Sequence, residues 1–108
     1  MRKNSPVAGY QEFLIEQLRD PEVAAEYLNA CLEENDKELF LRAFRNVLTA
    51  YGGMTKIAKA AKLNRVSLYK MLHAEGNPGF DNVLKLLQAL GIRFYVKPKK
   101  SRHYPKAA

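Results

Sequence analysis

The sequence predicts an all-α fold: a helical bundle with extra N-terminal helices, two short helices in a helix-turn-helix arrangement, and one short C-terminal β-strand. Three observations predict it. Apolar residues recur at helical spacing in successive runs between Tyr10 and Leu90. Two of those runs are stopped by glycines, Gly52-Gly53 and Gly91, residues suited to the left-handed turn after a helix. Only Ile92–Lys97 changes period: Ile92, Phe94 and Val96 alternate with Arg93, Tyr95 and Lys97, and period two is the strand signature. The 108 residues, 47% hydrophobic, suit one globular domain.

Taken in order, residues 1–9 (MRKNSPVAG) are polar with Pro and Gly and are read as a disordered N-terminus. The single helical domain is expected over 10–97. Its first helix carries Tyr10, Phe13, Leu14 and Leu18. Asp20-Pro21 starts the second: Asp20 can cap, and Pro21 in the first turn gives up no needed N–H. Val23, Ala24, Tyr27, Leu28, Cys31 and Leu32 form its apolar stripe, which makes Cys31 a buried small residue rather than a reactive thiol. Asn35-Asp36 breaks the pattern, and Asp36 can cap a third helix with Leu39, Phe40, Ala43, Phe44, Val47, Leu48 and Tyr51 on one face. A short connection makes these two helices antiparallel neighbours. Two short helices, 55–62 and 65–73, follow with only Leu63-Asn64 between them. The turn-rich AEGNPG then leads into an apolar helix with Val83, Leu84, Leu86, Leu87 and Leu90. Pro98 ends the strand, and 98–108 is a basic tail read as flexible.

The net charge of +7 is unevenly spread. Residues 1–53 are net −3, residues 54–92 net +4, and residues 93–108 net +6 with no acidic side chain. A basic excess fits a polyanionic partner, although a basic tail can equally serve solubility. The acidic first half (Glu12, Glu16, Glu22, Glu26, Glu33, Glu34) can face a basic protein or be a solvated helix surface. One cysteine excludes an intramolecular disulfide and a Cys-based zinc site. No run approaches the ~18–20 apolar residues of a membrane span, and no leader-like pair of basic and apolar regions opens the chain, so a cytoplasmic protein is expected. Catalysis has no visible machinery. His73 and His103 are the only histidines, no metal-spaced cluster exists, and GGMTK lacks the GK[ST] ending of a phosphate loop. No cofactor, metal or enzymatic activity is expected.

Residues 54–73 carry the functional reading. In a helix-turn-helix the first helix offers a small residue at the crossing, and the second is capped and apolar only on its inner side. Ile57, Ala61, Leu63, Leu68 and Met71 are placed to form that inner side, with Ala58 at the crossing and Asn64 as cap. Arg65, Ser67, Tyr69, Lys70 and His73 face outward, with Val66 near the helix start. Arg65 can make a bidentate contact to guanine, Lys70 can meet phosphate or guanine, and Tyr69 can meet phosphate or a thymine methyl. Asn64, if not consumed by capping, can read adenine or hold a phosphate. Thr55 and Lys56, at the first helix's start, lie where that helix would meet the DNA backbone. An ordinary αα-hairpin with a solvated basic face has the same spacing, and spacing does not separate the two.

At these residues the chain resembles a known family. MTKIAKAAKLNRVSLYKML, the turn with GNPGF, and DNVLKLLQALG resemble the lambda-repressor-like (Xre-type) helix-turn-helix domain. With DPEVAAEYLNACLEENDKELFLRAFRNV before them and the IRFYV segment after, residues 20–98 are similar to the addiction-module antidotes, antitoxins paired with RelE/ParE-fold toxins. The resemblance implies a lambda-repressor-like fold. It also implies a sequence-specific binder of double-stranded DNA that represses its own operon and neutralises a small basic toxin by direct contact. It carries the DNA-contact role to Thr55, Lys56, Asn64, Arg65, Val66, Ser67, Tyr69, Lys70 and His73. The chain departs from the family at the turn, where Lys62 stands at the usual glycine position; a left-handed backbone there costs a non-glycine residue about 1 kcal/mol. A stand-alone Xre-type repressor without a toxin has the same sequence features, and the adjoining gene discriminates between the two.

A homodimer is expected on separate grounds. A lone strand at 92–96 has no partner in a helical chain, and its backbone groups need hydrogen bonds. Antiparallel pairing of two copies through Ile92, Phe94 and Val96 would supply them and would suit an operator with repeated half-sites.

Overall fold

Three side-chain caps set the frame of the molecule. In the computed structural model, which describes residues 6–73 and 75–98, the Asp20 carboxylate accepts from the Glu22 N–H at 2.9 Å and opens α2 (Pro21–Glu33). Asp36 accepts from the Leu39 N–H at 3.1 Å and opens α3 (Lys37–Ala50). Asn64 accepts from the Ser67 N–H at 3.0 Å and opens α5 (Arg65–Met71). Each cap satisfies a donor that the first helical turn leaves without an internal partner. The remaining helices are α1 (Pro6–Gln17), α4 (Gly53–Ala61) and α6 (Gly79–Leu90).

The third helix is the centre. It packs on α1, α2 and α4, while α4 in turn packs on α5 and α6. Leu41, Phe44, Val47 and Leu48 of α3 are buried together with Leu28 of α2, Ile57 of α4, Leu68 of α5, Leu86 and Leu90 of α6, and Leu18 and Leu72 just past the ends of α1 and α5. Burying each large side chain of this set stabilises the fold by roughly 1.5–3 kcal/mol before conformational entropy is counted. No polar side chain is buried among the described residues. The expected apolar face of α3 is found and that of α2 is found except at Leu32, which is 48% exposed, with Cys31 at the edge of the core. Burial, and secondarily the Glu34 carboxylate, pushes the Cys31 thiol above its ordinary pKa, so it is held as a poorly nucleophilic thiol.

Two helix ends close the same way with different residues. At the end of α6, Gly91 is left-handed (φ 76°), and the Ile92 N–H reaches back to the Leu87 carbonyl at 2.9 Å. At the end of α4, Lys62 is left-handed (φ 59°), and the Leu63 N–H reaches the Ala58 carbonyl at 2.8 Å. Both are the closure that glycine favours; Lys62 adopts it with a side chain in place.

Several sequence expectations are corrected. Residues 92–96 are not a strand: among the described residues there is none, and Ile92–Pro98 is irregular backbone. A strand is defined by a ladder, and a single copy of this helical chain offers no second one. Residues 6–9, read as part of a disordered N-terminus, are helical and belong to α1; residues 1–5 and the tail from 99 to 108 lie outside the described residues. The fourth helix starts at Gly53 rather than Thr55, and α5 ends at Met71 rather than His73.

Candidate nucleic-acid interface

The surface formed by α4, its connection and α5 is basic because of where the chain puts its apolar residues. Ile57, Ala58 and Ala61 turn α4 inward, and Leu68 and Leu72 do the same for α5. What is left outward on these two helices and the connection is Lys56, Lys59, Lys62, Arg65 and Lys70, all exposed, with no acidic residue between Gly53 and His73. Leu63 and Met71, expected on the inner side, are half-buried; Leu72, which the spacing argument omits, is fully buried and caps the end of α5.

All nine residues singled out in the sequence are at the surface. Arg65, Val66, Ser67, Tyr69 and Lys70 lie on α5, Asn64 is its N-cap, His73 follows its end, and Thr55 and Lys56 occupy the first turns of α4. Val66 is 59% exposed and Tyr69 46% exposed. An open branched apolar residue and an aromatic ring beside Arg65 and Lys70 are compatible with contact to another surface. The Arg65 guanidinium lies 5.3 Å from the centre of the Tyr69 ring, one helical turn away. This cation–π pair narrows the positions the arginine samples before it meets a partner. The Asn64 side-chain oxygen is committed to the Ser67 N–H, which leaves only its NH2 group free to donate outward.

The fold also positions this helix from behind, through a residue that sequence spacing did not single out. Arg45 of α3 is half-buried, and its guanidinium donates to the Leu72 carbonyl at the C-terminal end of α5, 27 residues away. A cation at that end also meets the negative pole of the helix. The neighbouring Asn46 accepts from the Gln11 amide and donates to the Tyr27 hydroxyl, both at 3.0 Å, so adjacent α3 residues join α1, α2 and α5. The available signal is Arg45 four residues after Leu41 and three before Leu48: a charge on the buried stripe, which needs a partner.

Elsewhere, Ile92 is half-buried, Phe94 is 43% exposed and Val96 is 81% exposed. The Phe94 ring meets Phe80 edge-on, with centroids 5.6 Å apart. Among the described residues no group of three His, Cys, Asp or Glu side chains is placed to hold a metal ion, and no helix is long and apolar enough to cross a membrane.

Comparison with known proteins adds three findings. A family model described as "Probable addiction module antidote protein" matches residues 10–98. A protein of Haemophilus influenzae (strain ATCC 51907 / DSM 11121 / KW20 / Rd), named only as uncharacterized, is 36% identical over 96 residues, covering 81% of this chain and 98% of that protein. No solved structure matches.

Proposed function

Since the chain belongs to the probable addiction module antidote family, we propose that it is the antitoxin of a type II toxin–antitoxin module. In this reading α4 and α5 are a lambda-repressor-like helix-turn-helix, and the protein represses its own operon by binding operator DNA as a homodimer. It neutralises a small basic toxin of the RelE/ParE fold by direct contact. Membership of an antidote family implies a toxin partner, and proteins of this kind are not enzymes.

The observation that carries the DNA reading is the outer face of α5. A short, N-capped helix there exposes Arg65, Val66, Ser67, Tyr69 and Lys70 together, while its inner face is held against α4 and its end is tied to α3. A helix held this way can enter a major groove as a rigid reader. Arg65 then offers two parallel donors to guanine O6 and N7, Lys70 a donor to guanine or phosphate, and Val66 an apolar contact to a thymine methyl. Thr55, Lys56, Asn64, Ser67, Tyr69 and His73 surround these as phosphate or base-edge contacts.

The test is binding to the DNA upstream of the protein's own operon, measured by fluorescence anisotropy. Arg65→Ala is expected to weaken operator binding by about 1–3 kcal/mol and to relax preference at one base position. Lys70→Ala is expected to weaken it on matched and mismatched sites alike. Unchanged operator affinity in both variants, with helical content intact by circular dichroism, would refute the contact assignment.

A further inference from the structure

The segment after α6 sits beside an apolar groove, and among the described residues its backbone makes almost no hydrogen bonds. The groove, about 300 Å3, runs between α2, α3 and α6 and is lined by Leu28, Leu32, Phe40, Phe80, Leu87 and Phe94 among others. Its rim is open: Leu32 is 48% exposed, Phe80 60% and Tyr95 65%. Among the described residues, the Ile92 N–H is bonded back to the Leu87 carbonyl, and no backbone–backbone hydrogen bond involves Arg93 to Lys97. A non-helical segment whose backbone donors and acceptors have no partner among the described residues, lying along the lip of an apolar groove, is a place where a second strand can add.

From this we infer that the groove is closed by the same segment of a second copy, in a two-stranded antiparallel ribbon whose two-fold axis passes through Phe94. The inference rests on the homodimer proposed above and specifies its interface. Symmetry restricts the choice. A two-fold axis across an antiparallel pair must pass beside a residue that faces its own copy, because hydrogen-bonded and non-bonded pairs alternate along the ladder. An axis at Arg93 sets arginine against arginine, and an axis at Tyr95 sets Arg93 against Lys97. Like charges directly opposite are destabilising. An axis at Val96 sets Phe94 against Pro98, which has no N–H to give, and leaves Ile92 out of the ribbon. An axis at Phe94 avoids all of these. It pairs Ile92 with Val96 and Phe94 with Phe94 on one face, and Arg93 with Tyr95 twice on the other. The apolar face then continues the Phe80–Phe94 contact, and each guanidinium gains an aromatic ring.

The bond already made by Ile92 fixes the remaining choice. If Phe94 faced Phe94 as a hydrogen-bonded pair, the next bonded pair would be Ile92 with Val96, and it would claim an N–H that Leu87 already holds. With Phe94 as the non-bonded pair, the bonded pairs are Arg93 with Tyr95 and its symmetry mate. Four hydrogen bonds form from groups that have no backbone partner among the described residues of the single copy, and Ile92 keeps its own.

Disulfide trapping tests this in the full chain with Cys31 replaced by Ala. Residues facing each other in a non-bonded pair have Cα atoms about 4.5 Å apart, within the range a disulfide spans. Phe94→Cys is therefore expected to cross-link between copies at least ten times faster than Tyr95→Cys or Val96→Cys under the same mild oxidant. Faster cross-linking at 95 or 96 overturns the register while leaving a dimer in place. A monomer in sedimentation with no cross-linking at any of the three overturns both the inference and the dimer it rests on. Should Phe94→Cys fail to fold, amide hydrogen exchange of the unmodified protein decides. Arg93 and Tyr95 are expected to exchange at least tenfold more slowly than Phe94 and Val96, and equal rates across the four overturn the ribbon.

Discussion

Lys62 holds a left-handed backbone (φ 59°) at the one turn that sets α5 against α4. A non-glycine residue there carries roughly 1–2 kcal/mol of steric cost, whereas glycine carries none but adds freedom to the unfolded chain. The steric relief is the larger effect. Lys62→Gly is expected to stabilise the fold by about 0.5–1 kcal/mol, raising the melting temperature by several degrees. Lys62→Ala is the control, because it removes the charge and keeps the strained backbone. Calorimetry that finds the Ala variant gaining as much as the Gly variant would place the effect in the charge. Asn35 is left-handed too (φ 58°), but asparagine tolerates that region better than lysine does, so the same exchange gains less there. Gly52 is the reverse case. At φ 115° its backbone is one that L side chains rarely adopt, and an added Cβ would also have to push aside the Lys56 side chain that lies over it.

At the level of elements, α2, α3 and α5 were legible in the sequence because their determinants are local. Asp20, Asp36 and Asn64 each bond to an N–H two or three residues ahead, and the apolar stripes follow at fixed spacing. What was not legible depends on groups far apart in the chain. The period-two pattern of 92–97 describes which faces a strand would have, but not whether a ladder partner exists. The tie from Arg45 to Leu72 spans 27 residues: the α3 stripe flags Arg45 as a charge needing a partner, but nothing in the sequence names that partner. The exposed placement of the nine candidate side chains was readable from the sequence, whereas the support that holds their helix in place was not. That support has a measurable consequence. Arg45→Met keeps the bulk of the stem and removes the donor, leaving the end of α5 tied only through Leu72 packing. A loss of about 1–3 kcal/mol in chemical denaturation is expected. Operator affinity is expected to fall in the same variant although Arg45 lies behind α5 and is not among the candidate DNA contacts. Full affinity alongside reduced stability would show that α4 alone positions α5.

For the whole molecule, charge divides by position as the helices do. The described structure places the acidic side chains mainly on α1 to α3 and the basic ones on α4 and α5, and the sequence adds four more cations, Lys99, Lys100, Arg102 and Lys106, after the last described residue. A bipolar arrangement of this kind suits a protein that meets DNA through one half and a basic partner through the other, because each end attracts its ligand and repels the other's. The two basic contributions differ in kind. On the proposed function, Arg65 is carried on a packed, capped helix and can discriminate among bases, whereas Lys70 and the cations beyond Pro98 would add attraction to phosphate that is independent of sequence. Deleting residues 99–108 separates them. If those four cations all neutralise phosphates, the slope of log K against log salt should become shallower by as much as ~3–4, with the ranking of operator variants unchanged. The deletion keeps Ile92–Pro98 intact, so the oligomeric state should not change. A slope that does not move would assign the tail to solubility alone. A changed ranking of operator variants would mean that the tail reads sequence as well, and would move part of the specificity off α5.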